Sequence, residues 1–192
     1  MLKYVFMPYR ASKHSGVSGA YSAVSNRGLG GKVIFRSPED LTYFTSTLKR
    51  LARQTPAVRV IAFSLLTTSF HLALYSADVE AISKFMHRLS ISYSIYFNSR
   101  YETSGKVFAG PFKDRLLIGD DQLVQEVCRI HLLPSREHHN PETYEWSSYR
   151  SYLSGQAPWV YKQDVVTYFR TDDLAKALRH LTDTQRDTSD IS

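Results

Sequence analysis

Residues 58–75, with the sequence VRVIAFSLLTTSFHLALY, decide the fold class. The stretch is apolar and begins with β-branched residues, which favour strands over helices. The polar tripeptide at 67–69 interrupts the apolar pattern, which resumes at Phe70. The stretch therefore predicts either a pair of strands or one long bent strand.

A helix is predicted just before this stretch. Ser37 can cap it and Pro38 suits its first turn, because both residue types are common at helix N-termini. Apolar residues then recur at helical spacing, at Leu41, Phe44, Leu48 and Leu51. Further upstream, residues 20–25 (AYSAVS) alternate like a strand. A glycine-rich turn (26–31) and a short extended segment (33–35) follow them.

After the central stretch, Asp78 is predicted to begin a second long helix. Its apolar side chains form one stripe, made of Ile82, Phe85, Met86, Leu89, Tyr93 and Tyr96. Residues 101–105 then form a turn. Residues 106–118 form an extended segment that Gly110 and Pro111 interrupt.

Three further helices are predicted towards the C-terminus. One is capped by Asp120 or Asp121 and ends near Pro134, since the residue before a proline disfavours helical geometry. A short aromatic helix covers 146–153 and a last one covers 162–181. The order is strand, helix, strands, helix, strands and helix, which indicates an α+β fold with an antiparallel sheet.

The composition excludes several classes of protein. Cys128 is the single cysteine, so an internal disulfide and a cysteine-built zinc site are both excluded. Apolar runs such as IAFSLL fall far short of the roughly 20 residues of a membrane span. The N-terminal residues lack the apolar core of a signal peptide. We therefore expect a cytoplasmic protein with no membrane partner.

The charge balance favours a polyanionic partner. The 192 residues include 24 lysines and arginines against 18 aspartates and glutamates, a formal net charge of +6. The chain also has 13 tyrosines, 10 phenylalanines and 2 tryptophans. Bases stack on aromatic rings while basic side chains hold phosphates, which suits nucleic acid. The glycine-rich NRGLGG at 26–31 matches neither the P-loop nor the dinucleotide-binding motif.

Five segments share one further resemblance. They are GAY through NRG (19–28) with IF (34–35), AFSLLTTSFHLAL (62–74), KFMHRLSISYSIYFNSRYETSGKVFAGPFK (84–113), RIHLLP (129–134) and YEWSSYRSYL (144–153). In this order they resemble the REP-associated tyrosine transposases, and more broadly the single-domain transposases of the HUH class. The corresponding family motifs include MPNHxHLLL, YIHLNP and YxWSSYRAYL. The resemblance covers roughly residues 19–153.

This resemblance implies a ferredoxin-like antiparallel sheet, or palm, flanked by helices. Family members bind single-stranded DNA folded into hairpins and cut it with a tyrosine that becomes attached to the 5′ phosphate. Two histidines separated by one residue hold a divalent metal such as Mg²⁺, because alternate residues of a strand share a face. An asparagine or glutamine one turn after the tyrosine completes the metal shell.

Three of these four catalytic elements are replaced in this chain. The first histidine position is Ser69 and only the second, His71, is kept. Arg129 stands at the tyrosine position and Leu133 at the metal-completing position, and the arginine expected later in the third segment is Pro111. We therefore predict a catalytically degenerate, domesticated member with no catalytic residue and no metal. His71 is at most a relic ligand, and Mg²⁺ is expected only if cleavage survives.

Nucleic-acid binding is the simplest property for such a chain to retain, in a regulatory or assembly role. The ligand would be a DNA hairpin or single-stranded DNA, with an RNA hairpin as an alternative. An arginine at the tyrosine position could hold the phosphate that once reacted, or it could simply be a solvated helix residue. The candidate contacts are Arg27, Arg88, Arg100, Lys106, Lys113, Arg115, Arg129, Arg136 and Arg150.

Two alternatives remain open at this point. An active transposase or nickase could use a relocated tyrosine, since none lies between residues 117 and 142; the candidates are Tyr93, Tyr96 and Tyr144. The chain could also be a protein-interaction module of a larger complex. Nothing in the sequence decides between a monomer and a homodimer.

The predicted organisation has four parts. Residues 1–18 form an N-terminal arm and 19–160 the transposase-like, nucleic-acid-binding domain. Residues 161–181 form a C-terminal helical extension, and 182–192 a disordered tail. Three expectations concern reactive residue types outside the degenerate site. We expect His131 to be structural and Cys128 to be buried. We expect His138 and His139 to lie in a solvated loop.

Overall fold

The computed structural model describes residues 19–154 and 157–169. Its strands are β1 (Ala20–Arg27), β2 (Val58–Leu66), β3 (Ser69–Ser76) and β4 (Lys113–Leu117). Its helices are α1 (Pro38–Gln54), α2 (Val79–Arg100), α3 (Gly119–Leu132), α4 (Tyr149–Ser154) and α5 (Gln163–Phe169). Two short 3₁₀ turns cover Leu29–Gly31 and Leu133–Glu137.

The four strands form one antiparallel sheet in the order β2-β3-β1-β4. With α1 between β1 and β2 and α2 between β3 and β4, the chain runs as two split β-α-β units. This is the ferredoxin-like arrangement, so the predicted fold class is confirmed. The central stretch forms a strand pair rather than one bent strand, because β2 turns at Thr67-Thr68 and pairs back along β3.

The two faces of the sheet are covered by different helices. Phe70 points to the face that carries α1 and α2, and its ring lies 5.0 Å from that of Phe44 on α1. Tyr93 on α2 packs against Phe44 at 5.2 Å, and its hydroxyl donates to the carbonyl of Ile34. His71 points to the opposite face, because neighbouring residues of a strand alternate. Helix α3 packs against β2 and β3 on that side.

A buried carboxylate joins α1 to α2. Asp40, in the first turn of α1, is fully buried. Its Oδ2 accepts from the backbone N–H of Arg36 at 2.7 Å and of Ser37 at 3.2 Å. The hydroxyls of Tyr96 and Tyr101 donate to the same carboxylate at 3.0 and 2.7 Å. The Asp40 carboxylate therefore accepts hydrogen bonds both from the start of α1 and from the C-terminal end of α2.

The outer edge of β2 is covered by the C-terminal part of the chain. The N–H of Leu65 donates to the carbonyl of Trp146, and the N–H of Tyr161 donates to the carbonyl of Val60. Trp159 stacks on Phe63 with ring centroids 5.4 Å apart. This cover removes an unpaired strand edge that could otherwise pair with another chain.

The structure corrects several predicted boundaries. Residues 33–35 form no strand, and of the extended segment at 106–118 only Lys113–Leu117 pairs in the sheet. The N-cap of α3 is Ile118, so Asp120 and Asp121 lie in the first turn instead. The Gln122 side chain closes that end by accepting from the N–H of Ile118 at 3.0 Å. The aromatic helix begins at Tyr149 because the preceding residues bond to β2.

The last helix is present from Gln163 to Phe169, and residues 170–181 of the predicted 162–181 helix lie outside the described residues. The predicted arm at 1–18 and the tail at 182–192 lie outside them too. None of the described helices is both long enough and apolar enough to cross a membrane.

Candidate nucleic-acid interface

The candidate site lies on the sheet face that carries His71. Cross-strand partners share a face, so the pairing register places Ser25 of β1 and Lys113 of β4 beside His71. In the next row of cross-strand partners, Ala23 of β1 lies between Ala73 of β3 and Arg115 of β4. On the other side of His71, Arg27 of β1 lies opposite Ser69. The face is basic towards β4 and small and polar in its centre.

Small side chains leave a cavity between the sheet and α3. Ala23 and Ser25 do not fill the space beside α3, and a cavity of about 350 Å³ remains there. Three cations line it: Lys113 and Arg115 from β4, and Arg129 from α3. The other lining residues are Ala23, Val24, Ser25, Asp114 and Glu126. The cavity is large enough for a phosphate group with part of a nucleotide.

The two arginines of this cavity pair with the same buried carboxylate, that of Glu126. Glu126 on α3 is only 3% exposed, and its Oε2 accepts from Nη2 of Arg115 at 2.9 Å. Arg129, one turn later, donates from Nε at 3.0 Å and from Nη2 at 2.5 Å. The arginine side chains remain 59% and 41% exposed. Glu126 therefore fixes two guanidinium groups at the cavity wall, and the trio keeps a net positive charge.

His71 is held as a neutral imidazole on this face. Its Nε2 lies 3.3 Å from the Ser69 hydroxyl, and its Nδ1 is buried without a hydrogen-bond partner in the part of the chain that the structure describes. Burial, together with the positive charges of Arg129 and Arg136, lowers the pKa of His71 to about 4, and the negative charge of Glu126 opposes this shift. Arg129 and His71 are thus close enough to interact.

These residues do not suit a divalent metal. The side-chain donors next to one another are the Ser69 hydroxyl and the His71 imidazole, while Leu133 is a buried apolar residue. Within residues 19–154 and 157–169, no three histidine, cysteine or acidic side chains form a group that could hold a metal. The nearby guanidinium of Arg129 would repel a cation.

The pKa of His71 predicts a pH-dependent stability. Unfolded His71 takes up a proton near its ordinary value of 6.5, while the folded imidazole resists until about 4. The unfolded state binds more protons in between, so stability falls as the pH drops through this window. Between pH 7 and pH 4.5, His71→Gln should remove about 2 kcal/mol of that loss, measured by urea unfolding at both pH values. The exposed His87→Gln is the control, and an unchanged pH slope in His71→Gln would contradict a neutral buried imidazole.

The three tyrosines considered as relocated nucleophiles have structural partners. Tyr93 and Tyr96 belong to α2 on the far face, and their hydroxyls donate to Ile34 and Asp40. The Tyr144 hydroxyl donates to the carbonyl of Leu65 at 2.7 Å. Burial raises the pKa of Tyr96 and of Tyr144 to about 12, and it raises that of Tyr93 as well. None of these hydroxyls is poised to ionise.

The structure brings only part of the predicted contact set together. Arg27, Lys113, Arg115 and Arg129 share the face with His71, and Arg136 is close enough to lower the pKa of that histidine. Lys106 is exposed in a loop whose backbone pairs with the end of β1.

The other three lie elsewhere. Arg88 is on α2, where it donates to Gln54 at 3.0 Å, and Arg100 at the end of α2 pairs with Glu39 at 3.4 Å. Arg150 is on α4 near the β2 edge and lies 3.6 Å from Glu145. The cavity opens beside β4, at the other end of the sheet from this edge.

The structure also places the side chains expected to be structural. His131 is fully buried, its Nε2 lies 2.9 Å from the Ser148 hydroxyl, and burial lowers its pKa to about 3. Cys128 is buried, and burial raises its thiol pKa to about 12. His138 and His139 are exposed, and the ring of His139 stacks on Tyr144 at 4.7 Å.

Glu126 is the residue of the site that the sequence did not reveal. Its spacing to Arg129 is that of a helical i,i+3 ion pair, a common pattern on solvated helix surfaces. The sequence does not show that this carboxylate is buried. Nor does it show that β4 brings Arg115 to the same oxygen, because that contact depends on how α3 packs on the sheet.

Comparison with known proteins shows that another protein shares this fold. No protein-family model matches the sequence, and no curated protein matches it either. Among the solved structures that match is one described as a REP-associated tyrosine transposase bound to a REP hairpin, with a TM-score of 0.56 and 12% sequence identity. The match covers 81% of this chain and 90% of that chain. The chain therefore has the fold of a REP-associated tyrosine transposase, as the motif resemblance implied.

Proposed function

We propose that this protein binds DNA hairpins or single-stranded DNA without cutting them, in a regulatory or assembly role in the cytoplasm. The observation that carries the proposal is the cavity wall of Lys113, Arg115 and Arg129. These cations line the side of the sheet where the family resemblance places the reacting phosphate. The solved neighbour of this fold is itself bound to a REP hairpin.

The replaced catalytic positions support binding over cleavage. Arg129 cannot form a phosphate ester, but a guanidinium forms paired, charge-assisted hydrogen bonds to phosphate oxygens. The cavity is open to solvent on the side of β4, and the two arginine side chains that line it remain partly exposed. A phosphate could therefore reach both arginines while Glu126 holds them in place.

The charge arrangement also supports a nucleic acid over a protein partner. Arg27, Lys113, Arg115 and Arg129 extend across β1, β4 and α3 on one face. A backbone with regularly spaced phosphates can engage several such cations at once. An RNA hairpin could use the same phosphate contacts, so DNA and RNA versions of each oligonucleotide belong in the test.

The test is binding to a pool of hairpin and single-stranded oligonucleotides at two salt concentrations. We expect enrichment of a hairpin, with an affinity that falls as the salt concentration rises. Arg129→Ala should weaken binding roughly fivefold to tenfold and lower the slope of log affinity against log salt by about one unit. Arg88→Ala is the matched control, because it removes an exposed arginine from α2 on the other face.

Each alternative function has its own outcome in this experiment. A covalent protein–DNA adduct formed with Mg²⁺ would identify an active nickase with a relocated tyrosine. No salt-sensitive binding to any oligonucleotide would exclude the proposal and favour a protein-interaction module. Equal losses for Arg88→Ala and Arg129→Ala would place the contact surface elsewhere. Titrating the hairpin with protein of known concentration also gives the number of chains bound.

A further inference from the structure

A second basic surface lies beside the cavity, where two loops pair. The N–H of Leu29 donates to the carbonyl of Val107 at 3.0 Å, and the N–H of Ala109 donates to the carbonyl of Arg27 at 2.9 Å. Residues 26–36 and 104–113, here called the loop pair, contain five lysines and arginines and no acidic residue. The loop pair therefore presents an uncompensated positive charge next to the β1 end of the site.

One exposed apolar side chain, that of Leu29, lies among these basic residues. Leu29 is 47% exposed and begins a short 3₁₀ turn whose other two residues are Gly30 and Gly31. Both glycines have positive φ, of 62° and 79°, and a Cβ on either would have no atom within 4 Å. The two positions that follow Leu29 therefore carry no side chain and face open space, which leaves room for a planar ligand beside Leu29.

The cations beside Leu29 are available to a ligand. Among residues 19–154 and 157–169, the side chains of Arg27 and Lys106 form no ion pair, and both are exposed. Lys32 and Arg36 lie over the aromatic rings of Phe97 and Tyr101, at 4.9 and 4.5 Å from the ring centroids. Their charge therefore stays at the loop pair although their stems are packed.

An exposed apolar side chain flanked by free cations fits the end of a base-paired stem. The last base pair offers a flat apolar face, and the phosphates around it offer negative charge. A protein partner with an acidic rim would match the charge, but the flat face of a base pair also matches the small apolar area that Leu29 and the 38% exposed Val33 present beside the two glycines. The loop pair also continues into the cavity face, because Arg27 is two residues from Ser25.

We propose that Leu29 is a wedge that packs on the terminal base pair of a DNA stem where it meets single-stranded DNA. Arg27 and Lys106 hold the phosphates on either side, and the single strand continues towards Arg129. This inference rests on the proposed function, which it deepens by naming the feature of the ligand that is recognised. The junction between duplex and single strand is that feature.

The experiment uses a DNA hairpin with a single-stranded 5′ extension and 2-aminopurine at the terminal base pair. A leucine that packs on this pair displaces the single-stranded base stacked on it and raises the fluorescence of 2-aminopurine. We expect the rise with the wild type and with Ile95→Ala, which truncates a 66% exposed isoleucine on α2. Leu29→Ala should abolish the rise and weaken binding to this hairpin about tenfold, while binding to the single strand alone stays unchanged.

Four results would overturn the wedge. A full fluorescence rise with Leu29→Ala would show that another group meets the base pair. Equal weakening on hairpin and single strand would make Leu29 a general contact. No binding by the wild type would overturn the proposed function and the wedge together. Binding that depends on Arg129 but ignores Leu29 would overturn the wedge alone. Thermal unfolding of Leu29→Ala at the wild-type temperature confirms that the variant is folded.

Discussion

Replacing Asp40 by alanine should lower the free energy of unfolding by about 4 kcal/mol, because it removes a buried carboxylate that several donors share. The two backbone N–H groups at the start of α1 and the hydroxyls of Tyr96 and Tyr101 would lose their acceptor at once. Buried donors without acceptors are costly, since they gave up hydrogen bonds to water on folding. Urea unfolding monitored by far-UV circular dichroism measures the loss.

Two further variants separate the causes of this effect. Asp40→Asn keeps one carbonyl oxygen for the main donors and should lose only about 1–2 kcal/mol. Glu39→Ala removes the neighbouring carboxylate, which is 63% exposed and pairs with Arg100, and should unfold close to the wild-type midpoint. If Asp40→Ala unfolds like Glu39→Ala, the hydrogen bonds that Asp40 accepts contribute little to stability, and apolar packing supplies most of the contact between α1 and α2.

Much of the fold could be predicted from the sequence because its signals are local. The period of the apolar residues along α1 and α2, and the polar break at Thr67-Thr68, each identify an element without knowledge of its neighbours. The same local view misplaced the start of α3, because an aspartate is a common cap and Ile118 is not. In the structure the Gln122 side chain supplies that cap, from within the helix.

The candidate site was only partly predictable, because it forms by contact between distant segments. Arg129 could be singled out since it stands at a motif position, and Arg115 because it lies on a basic extended segment. Their common attachment to Glu126 follows from the packing of α3 on the sheet, which no local pattern encodes. Arg88 and Arg100 are equally basic and cannot be told apart from the site arginines in the sequence. In the structure they belong to α2, on the opposite face of the sheet.

The shared carboxylate changes how the arginines must be tested. A single substitution still leaves one arginine paired with Glu126. It should therefore weaken DNA binding without leaving the buried carboxylate unpaired. The double variant Arg115→Ala/Arg129→Ala leaves a side chain that is only 3% exposed without either partner. Breaking a buried ion pair from one side is destabilising, because the remaining charge has lost its compensation while still desolvated.

We therefore expect Arg115→Ala/Arg129→Ala to lose about 3 kcal/mol of unfolding free energy, and adding Glu126→Gln to restore most of that loss. We expect the triple variant to fold while lacking both guanidinium groups. Its affinity for the selected hairpin should fall roughly 30-fold to 100-fold, and the salt slope should fall by about two units. Urea unfolding and fluorescence anisotropy measure the two effects on the same samples.

Glu126→Gln alone is the control that separates positioning from charge. It keeps both arginines and removes the negative charge between them, so it should bind the hairpin at least as tightly as the wild type. If the triple variant also binds like the wild type, the arginines serve only to neutralise Glu126 and the cavity is not the phosphate site. If Glu126→Gln binds as poorly as the triple variant, the carboxylate is needed to aim the guanidinium groups, and the cavity recognises phosphate by geometry more than by charge.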